Sequence, residues 1–493
     1  MYKIVKNILS LLTLLFSFQL SYAQLIIKNS GFEIVDSSGT FPKFWDGPLP
    51  GFALIRERDQ NHGYVVKMQK TTGETGGDIF FQRINYPHSN HGQKYLLSGN
   101  IKTENLGKYY GAAGFMFSAF DKDSIKLIFP EFEIHSVKNT IDWKKIRYEV
   151  YIPSATKYIE VGGYLIDGEK AWYNNIQLQR IKVLDLKKSP EAQKYLDDAI
   201  KIITKNSLFK DSLNLIKLTE KAKGMSIYAQ SNKDCYPAIK WYINQIHNYD
   251  HHSFFQTPEQ AKFLNAMEEG KKDMPSGKLL ENNIGYIKIP TFLHVNKEIE
   301  HIFADSCQNI IKSIDRCDIK GWVVDIRDNL GGNCWPMIAG IGPILGEGIA
   351  TYAIHPDKKK DSSGYRNGRA YENADTIIRL LHPYNLCHQN PFVAVLTNQK
   401  TASSGEAVAL SFKNRPRAKS FGEATMGLTT GNEMYKLSDG ALLFVAIVKG
   451  VDRLGNVYGG KILPDMFIMN DKNSTEDKVL NEAIKWLKEQ KMN

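Results

Sequence analysis

Residues 400–412 read KTASSGEAVALSF and follow the apolar run FVAVLTN at 392–398. A serine at such a junction has its hydroxyl at the carboxyl end of a buried strand. The backbone N–H groups that follow it belong to a helix N-terminus, which favours negative charge. Acyl transfer needs that setting: a serine attacks a carbonyl, a base takes its proton, and donors hold the oxyanion. Taken alone, the stretch also reads as a plain helix cap. Three other stretches supply what a cap would not need. DIRDNLGG at 325–332 ends an apolar run with Gly331-Gly332, where backbone can approach a ligand closely. YDHHSFF at 249–255 sets two imidazoles in a turn, and imidazole accepts a proton at neutral pH. GEATMGLTTG at 422–431 follows the strand-like KSFGE.

The elements that must position these residues can be read from periodicity. Beyond residue 280, apolar runs alternate with helical segments: NIGYIKIP (283–290), helix 296–314, GWVVDIR (321–327), helix 335–345, FVAVLTN, helix 404–413. Such runs, each followed by a helix, predict parallel strands covered on both faces. Residues 347–390 break the rhythm and are expected to be an irregular insertion or lid over the site. Upstream, 189–247 has helical spacing in Tyr195, Ala199, Ile202, Ile203, Leu213, Ile216 and Leu218. Residues 24–182 instead alternate in short runs such as LIIKN (25–29), KYLLSGNIKTE (94–104) and KYIEVGGYLIDG (157–168), which predicts an antiparallel β-sandwich. Trp45, Trp143 and Trp172 are expected in its core, although exposed aromatic faces there would stack on sugar rings.

The chain has 493 residues, long enough for two or three domains, with ordinary globular hydrophobic and charged fractions of 42% and 24%. Residues 1–23 carry Lys3 and Lys6, an apolar run and a Ser-Tyr-Ala ending, the pattern of a cleaved export signal. No cysteine follows the run, so a lipid anchor is not expected, and no later stretch is apolar enough to predict membrane insertion. The protein is therefore expected to be exported: periplasmic, outer-surface or secreted. Five cysteines (235, 307, 317, 334, 387) then meet an oxidising compartment, and the odd number leaves at least one outside an internal pair. No CxxC or Cys/His cluster predicts a metal site, and no organic cofactor is implied. The net charge of +10 falls to +8 without Lys3 and Lys6 and is dispersed, which argues against a nucleic-acid partner.

Together the motifs resemble the C-terminal-processing (tail-specific) serine peptidase family, which includes the tricorn core and the retinoid-binding repeats. They are D-x-R-x-N-x-G-G at 325–332, T-A-S-x-x-E at 401–406, G-E-x-T-x-G at 422–427 and G-x-x-x-P-D at 460–465. The resemblance spans roughly 186–490. With the sandwich read over 24–182, the chain is expected to be multidomain α+β: that jelly-roll sandwich, then a helical segment with the D-x-H-S turn over 183–280, and an α/β (ClpP/crotonase-like) core over 281–493, the last two implied by the resemblance. NSGFE at 29–33 and AWYNNIQL at 171–178 likewise resemble carbohydrate-binding, galactose-binding-like sandwiches, which implies a glycan or cell-wall ligand. Asn174 stands where that family usually has Asp.

Carried over, the family pattern makes Ser403 the nucleophile and assigns the oxyanion hole to the amides of Ser404, Gly331 and Gly332. The lysine base of the Ser-Lys branch would sit at 428, which is Leu428 here, and Lys461 is a poor substitute. The tricorn-like branch uses a histidine from a D-x-H-S turn, which Asp250-His251-His252-Ser253 matches. His252 is the expected base, with His251 next. The third member stays open among Asp452, Glu433 and Asp465, with Asp452 ahead; a histidine oriented by a backbone carbonyl would also work, at a cost in rate. Glu406 reads as a structural helix residue. Only about 30 residues separate His252 from Ile284, too few for the peptide-binding PDZ domain of many relatives. The expected activity is an exported serine endopeptidase acting on protein or peptide. The competing expectation is a catalytically weak binding protein on the same fold. An α/β-hydrolase esterase is discounted, because the elbow lacks the first glycine of G-x-S-x-G.

Overall fold

The five residues Gly321–Asp325 are all buried, so this strand must be covered on both faces. In the computed structural model it lies inside a six-stranded sheet. The structure describes residues 26–71, 76–86, 93–107, 111–129, 135–183, 189–246, 251–262, 274–294, 296–469 and 476–490. The expected export signal and Asp250 lie outside them. The chain forms two compact units, residues 1–193 with 221–241, and residues 194–220 with 242–493.

The first unit holds two antiparallel sheets. One has the order β1 (Phe52–Asp59), β2 (Gly63–Lys70), β9 (Gly168–Val183), β4 (Gln93–Leu106), β7 (Ile141–Ile152). The other has the order β3 (Gly77–Asn85), β8 (Tyr158–Ile166), β5 (Ala112–Phe120), β6 (Lys126–Ile128). Their inward residues share one core, with Val66, Leu97 and Tyr173 from the first sheet and Phe80, Phe115 and Val161 from the second. The strand expected over LIIKN does not form over its described residues 26–29; residues 28–31 make a turn, and Asn29 and the following Phe32 have positive φ. Trp45 is core as expected. Trp143 and Trp172 are not: both are half-exposed, and their indoles donate to Asp59 and Glu57 on the outer face of the five-stranded sheet. Asn174 is buried and donates to the carbonyls of His62 and Tyr64, so it closes a loop.

Three helices follow, α1 (Pro190–Asn206), α2 (Leu215–Met225) and α3 (Asn232–Ile246). The helical segment expected over 183–280 is divided between the units, residues 221–241 going to the first and 194–220 to the second. Within the first unit, Lys94 pairs with buried Asp234 at 2.8 Å and Lys221 with Asp121 at 2.7 Å.

In the second unit, the six-stranded sheet has the order β11 (Ser276–Leu280), β12 (Ile284–Lys288), β13 (Gly321–Asp325), β18 (Val393–Thr397), β19 (Ala418–Gly422), β22 (Met466–Phe467). All neighbours after β11 pair in parallel. Strand alternation sends Ile287, Val324 and Val395 to one face, against α4 (Lys297–Ile314), α5 (Cys334–Leu345) and α6 (Ser404–Phe412). Ile284, Val323 and Ala394 face the other way, onto α7 (Lys478–Glu489). The expected parallel, doubly covered sheet is therefore what forms.

Residues 347–390 are not irregular. They make β14 (Gly348–Ile354), β15 (Lys360–Arg366), β16 (Arg369–Glu372) and β17 (Asp375–Arg379). These continue a second, antiparallel sheet through β21 (Leu442–Val451), which also carries β10 (Phe254–Gln256) and β20 (Thr430–Lys436). Their core residues Tyr365, Ala370 and Ile378 explain the broken rhythm, since half of each strand packs on α5 and half faces water. A disulfide between Cys317 and Cys387 fastens the end of this segment, and the other three cysteines, Cys235, Cys307 and Cys334, are not disulfide-bonded. It closes a loop with a sequence separation of 70 residues. Chain-entropy arguments put its contribution at no more than about 4 kcal/mol. Cys317→Ser/Cys387→Ser should therefore melt several degrees below the parent, and reductant should move the parent toward the variant.

Candidate active site

The nucleophile loop is built where two adjacent parallel strands end. Thr401 donates its hydroxyl to the Ile326 carbonyl at 3.0 Å, and the Ala402 N–H donates to the Asn329 carbonyl at 2.8 Å. These bonds tie the turn after β18 to the turn after β13. Ser403 then adopts φ 49° and ψ −116°, a conformation that costs a non-glycine residue about 1–3 kcal/mol. What holds it there is Glu406, one turn into α6. Its fully buried carboxylate accepts from the Ser403 N–H (3.0 Å), the Thr425 hydroxyl, the Gly427 N–H (2.9 Å) and the Leu428 N–H (2.6 Å). Burial pushes its pKa up, and these donors pull against that. The helix residue expected to be merely structural thus joins the serine's backbone to the 425–428 loop.

His252 is buried and its Nε2 lies 3.0 Å from Ser403 Oγ. Its Nδ1 lies 2.7 Å from the Thr430 carbonyl oxygen and 3.2 Å from Thr430 Oγ1. A carbonyl only accepts, so Nδ1 carries the proton and Nε2 of the neutral ring is left with a lone pair facing the serine hydroxyl. The main chain is held as well: Asn432 Nδ2 donates to the His252 carbonyl at 3.1 Å, and Ser253 Oγ accepts from the Ala446 N–H at 2.9 Å. His251 is exposed.

Asp452 is not the orienting acid. Its carboxylate accepts from the Leu454 and Asn456 N–H groups, the side-chain amides of Asn414 and Asn456, and the Tyr458 hydroxyl. Burial raises its pKa, but these bonds outweigh that and hold it below the usual carboxylate range. It closes its own turn after β21 and makes no bond to His252. Glu433 accepts from the Tyr435 hydroxyl, and Asp465 pairs with Lys413 and Ser420. Hence Asp452→Asn should hydrolyse peptide within about threefold of the parent rate at a temperature where both are folded.

The glycine turn is also more selective than its sequence suggests. Gly331 and Gly332 have φ of 105° and 110°, and a Cβ on them would fall 2.7 Å from Ser403 Cβ and 1.9 Å from the Phe292 carbonyl oxygen. The Gly331 N–H is already given to Asn329 Oδ1 at 2.9 Å, which removes it from the expected oxyanion hole. Among the described residues, the N–H groups of Gly332 and Ser404 have no acceptor, and the Ser404 hydroxyl fixes their relation by donating to the Gly332 carbonyl at 2.6 Å. Gly332→Ala should therefore abolish activity without access to the parent loop conformation. Next along the chain, the Cys334 thiol is pushed up to about 11, mainly by burial. No group of three or more potential metal ligands occurs among the described residues.

Residues 283–468 match the model for peptidase family S41. Those residues are an S41 peptidase domain. The nisin-resistance protein of Lactococcus lactis subsp. lactis is 27% identical over 306 residues, 61% of this chain and 88% of that protein. Carboxyl-terminal-processing peptidase 2 of Arabidopsis thaliana chloroplasts is 27% identical over 186 residues. That match covers 38% of this chain and only 32% of the plant enzyme. A lipoprotein from Streptococcus agalactiae has the same fold over 63% of this chain and 99% of its own, with TM-score 0.51 and 24% identity. The S41 domain makes the chain a serine-type peptidase, a hydrolase with protein or peptide as its substrate class. A backbone carbonyl was an open alternative for orienting the histidine, but nothing in the sequence pointed to that of Thr430, since no residue type announces it; the bonding of Glu406 was also missed, although its place in T-A-S-x-x-E was its signal.

Proposed function

We propose that the protein is an exported serine endopeptidase in which Ser403 attacks the scissile carbonyl and His252 is the general base. The observation that carries the reading is the 3.0 Å approach of His252 Nε2 to Ser403 Oγ, in a histidine whose other nitrogen is anchored on a carbonyl. The hydroxyl proton passes to Nε2 as Oγ bonds to the carbonyl carbon. The Gly332 and Ser404 N–H groups receive the oxyanion, and the imidazolium returns its proton to the leaving amine. Water then repeats the cycle on the acyl-enzyme. With Leu428 at the position of the family's lysine, histidine is the base that reaches the nucleophile. Export accords with the amino-terminal pattern, and among the described residues no helix is long and apolar enough to cross a membrane.

The test is hydrolysis of an unstructured protein such as casein, followed by mass spectrometry of the fragments. Internal cleavage by the parent, absent with Ser403→Ala, supports the reading; no cleavage of any unstructured protein by folded parent favours the binding-protein alternative. For the first unit we propose glycan binding on the outer face that carries Trp143 and Trp172. Trp172→Ala should then cost most of the retardation of this unit in polysaccharide gels.

A further inference from the structure

A strap of chain runs beside the 425–429 loop, and at its centre is Lys461, a lysine that the mechanism does not use. The Ile462 N–H donates to Thr425 Oγ1 at 2.8 Å, and the Thr425 N–H donates to the Ile462 carbonyl at 3.1 Å. On the other side of Lys461, the Gly460 carbonyl accepts from the Thr429 hydroxyl at 2.8 Å. Both neighbours of Lys461 are thus pinned to the loop. Further on, Asp465 anchors the strap by accepting from the Ser420 N–H at 2.8 Å and pairing with Lys413. Gly427 sets how closely the lysine approaches. A Cβ there would fall 3.2 Å from Lys461 Cγ and 3.3 Å from Lys461 N, so the stem of the side chain passes over Gly427 on its way to water. Gly427 is one carboxylate away from the nucleophile: Glu406 accepts from its N–H at 2.9 Å and from the Ser403 N–H at 3.0 Å. The preceding Met426 N–H donates to the Thr401 carbonyl at 2.8 Å, two residues before Ser403.

A second lysine flanks the other end of the same loop. Lys449 on β21 pairs across the sheet with Thr430, whose carbonyl holds His252. Its ammonium reaches back to the strap, since a Cβ on Gly459 would fall 3.8 Å from Lys449 Nζ. Lys461 is exposed and Lys449 half-buried, and among the described residues neither ammonium pairs with a carboxylate. The acids around them are occupied. Glu406 is fully buried among its donors, Asp452 closes its own turn, and Asp465 is taken by Lys413. Two cations with no counter-charge leave a positive potential at the rim of the site. The chain that meets this rim while Ser403 holds a peptide bond is the substrate, which advances about 3.3 Å per extended residue. The group on it that complements an ammonium is a carboxylate.

We infer that Lys461, seconded by Lys449, is a specificity determinant of this peptidase and selects substrates with aspartate or glutamate within a few residues of the scissile bond. The inference rests on the Ser403–His252 reading and deepens it by naming the substrate class.

The test uses quenched fluorescent peptides with amidated ends that differ only in carrying Glu, Gln or Lys at the positions flanking the cleaved bond. Each is assayed with the parent, Lys461→Gln, Lys461→Glu and Lys488→Glu, and fluorophosphonate labelling of the parent is run in parallel. Lys488 is an exposed residue of α7, so its variant makes the same change in net charge away from the strap. At low salt the parent should favour Glu over Gln by about tenfold in kcat/KM, the scale of two exposed charge contacts, and salt should shrink the ratio. Lys461→Gln should bring it to within about threefold, and Lys461→Glu should turn the preference toward Lys. Lys488→Glu should leave it as in the parent. The ratio is taken within each variant, so a partly unfolded sample does not distort it. A labelled parent with no Glu preference, a preference that survives in Lys461→Glu, or an equal loss in Lys488→Glu overturns the inference alone. A folded parent that does not label overturns the catalytic reading and the inference with it.

Discussion

Ser403→Ala and His252→Ala are each expected to lower kcat/KM for peptide hydrolysis by at least about 10,000-fold, and the double variant should be no worse than either single one. Without Oγ there is no acyl-enzyme. Without the imidazole, Oγ must lose its proton to water while its conformation is still strained at φ 49°. The two groups act as a unit at 3.0 Å, so the second loss removes nothing that the first had left. Neither change should disturb the fold much: Ser403 lies at a helix start, and the elbow's main chain is held by Glu406 whatever residue 403 carries. Steady-state kinetics with one quenched peptide, beside thermal melts of the four proteins, checks both statements. Additive losses would mean that the pair does not work as drawn.

The second large effect belongs to Glu406. Oε2 accepts from the Ser403 and Leu428 N–H groups, and Oε1 from the Thr425 hydroxyl and the Gly427 N–H. Glu406→Ala leaves three partly buried N–H groups without their acceptor, each worth about 1 kcal/mol, so a loss of about 2–3 kcal/mol is expected. Activity should fall further than stability does, because the freed N–H groups flank the nucleophile. Glu406→Gln separates the two effects. Its oxygen can still serve Ser403 and Leu428, and its amide can donate to the Thr425 hydroxyl, but the Gly427 N–H then faces another donor. Glutamine should therefore recover much of the stability and part of the rate. Chemical unfolding and kcat measured on the same samples would expose the opposite order.

The core was legible because its signals are dense and local. WVVDI and FVAVL are too apolar to leave either face in water, and helical spacing follows each of them, so parallel strands with helices on both sides were forced. The serine was legible for the same reason, since its position after a buried strand and before a helix is a matter of spacing. The orientation of His252 was not legible, because a peptide carbonyl does that work and any residue could have stood at 430. An acid was sought at Asp452 instead, where the neighbouring Asn456 and Tyr458 had already satisfied the carboxylate. Likewise, two adjacent glycines cannot tell which N–H is open; the Asn329 side chain decides it by taking that of Gly331. Residues 347–390 looked irregular because edge strands with one wet face alternate weakly and carry many turn residues. The outer-face positions of Trp143 and Trp172 were not legible in composition alone; they follow from alternation on β7 and β9, where the indoles reach Asp59 and Glu57.

The most direct measurement is reaction of the folded protein with a fluorophosphonate probe, with the modified residue located by mass spectrometry. A single adduct on Ser403 is expected, formed quickly by the parent and by Asp452→Asn and lost in His252→Ala. An adduct on another residue, or labelling that survives the loss of His252, would contradict it.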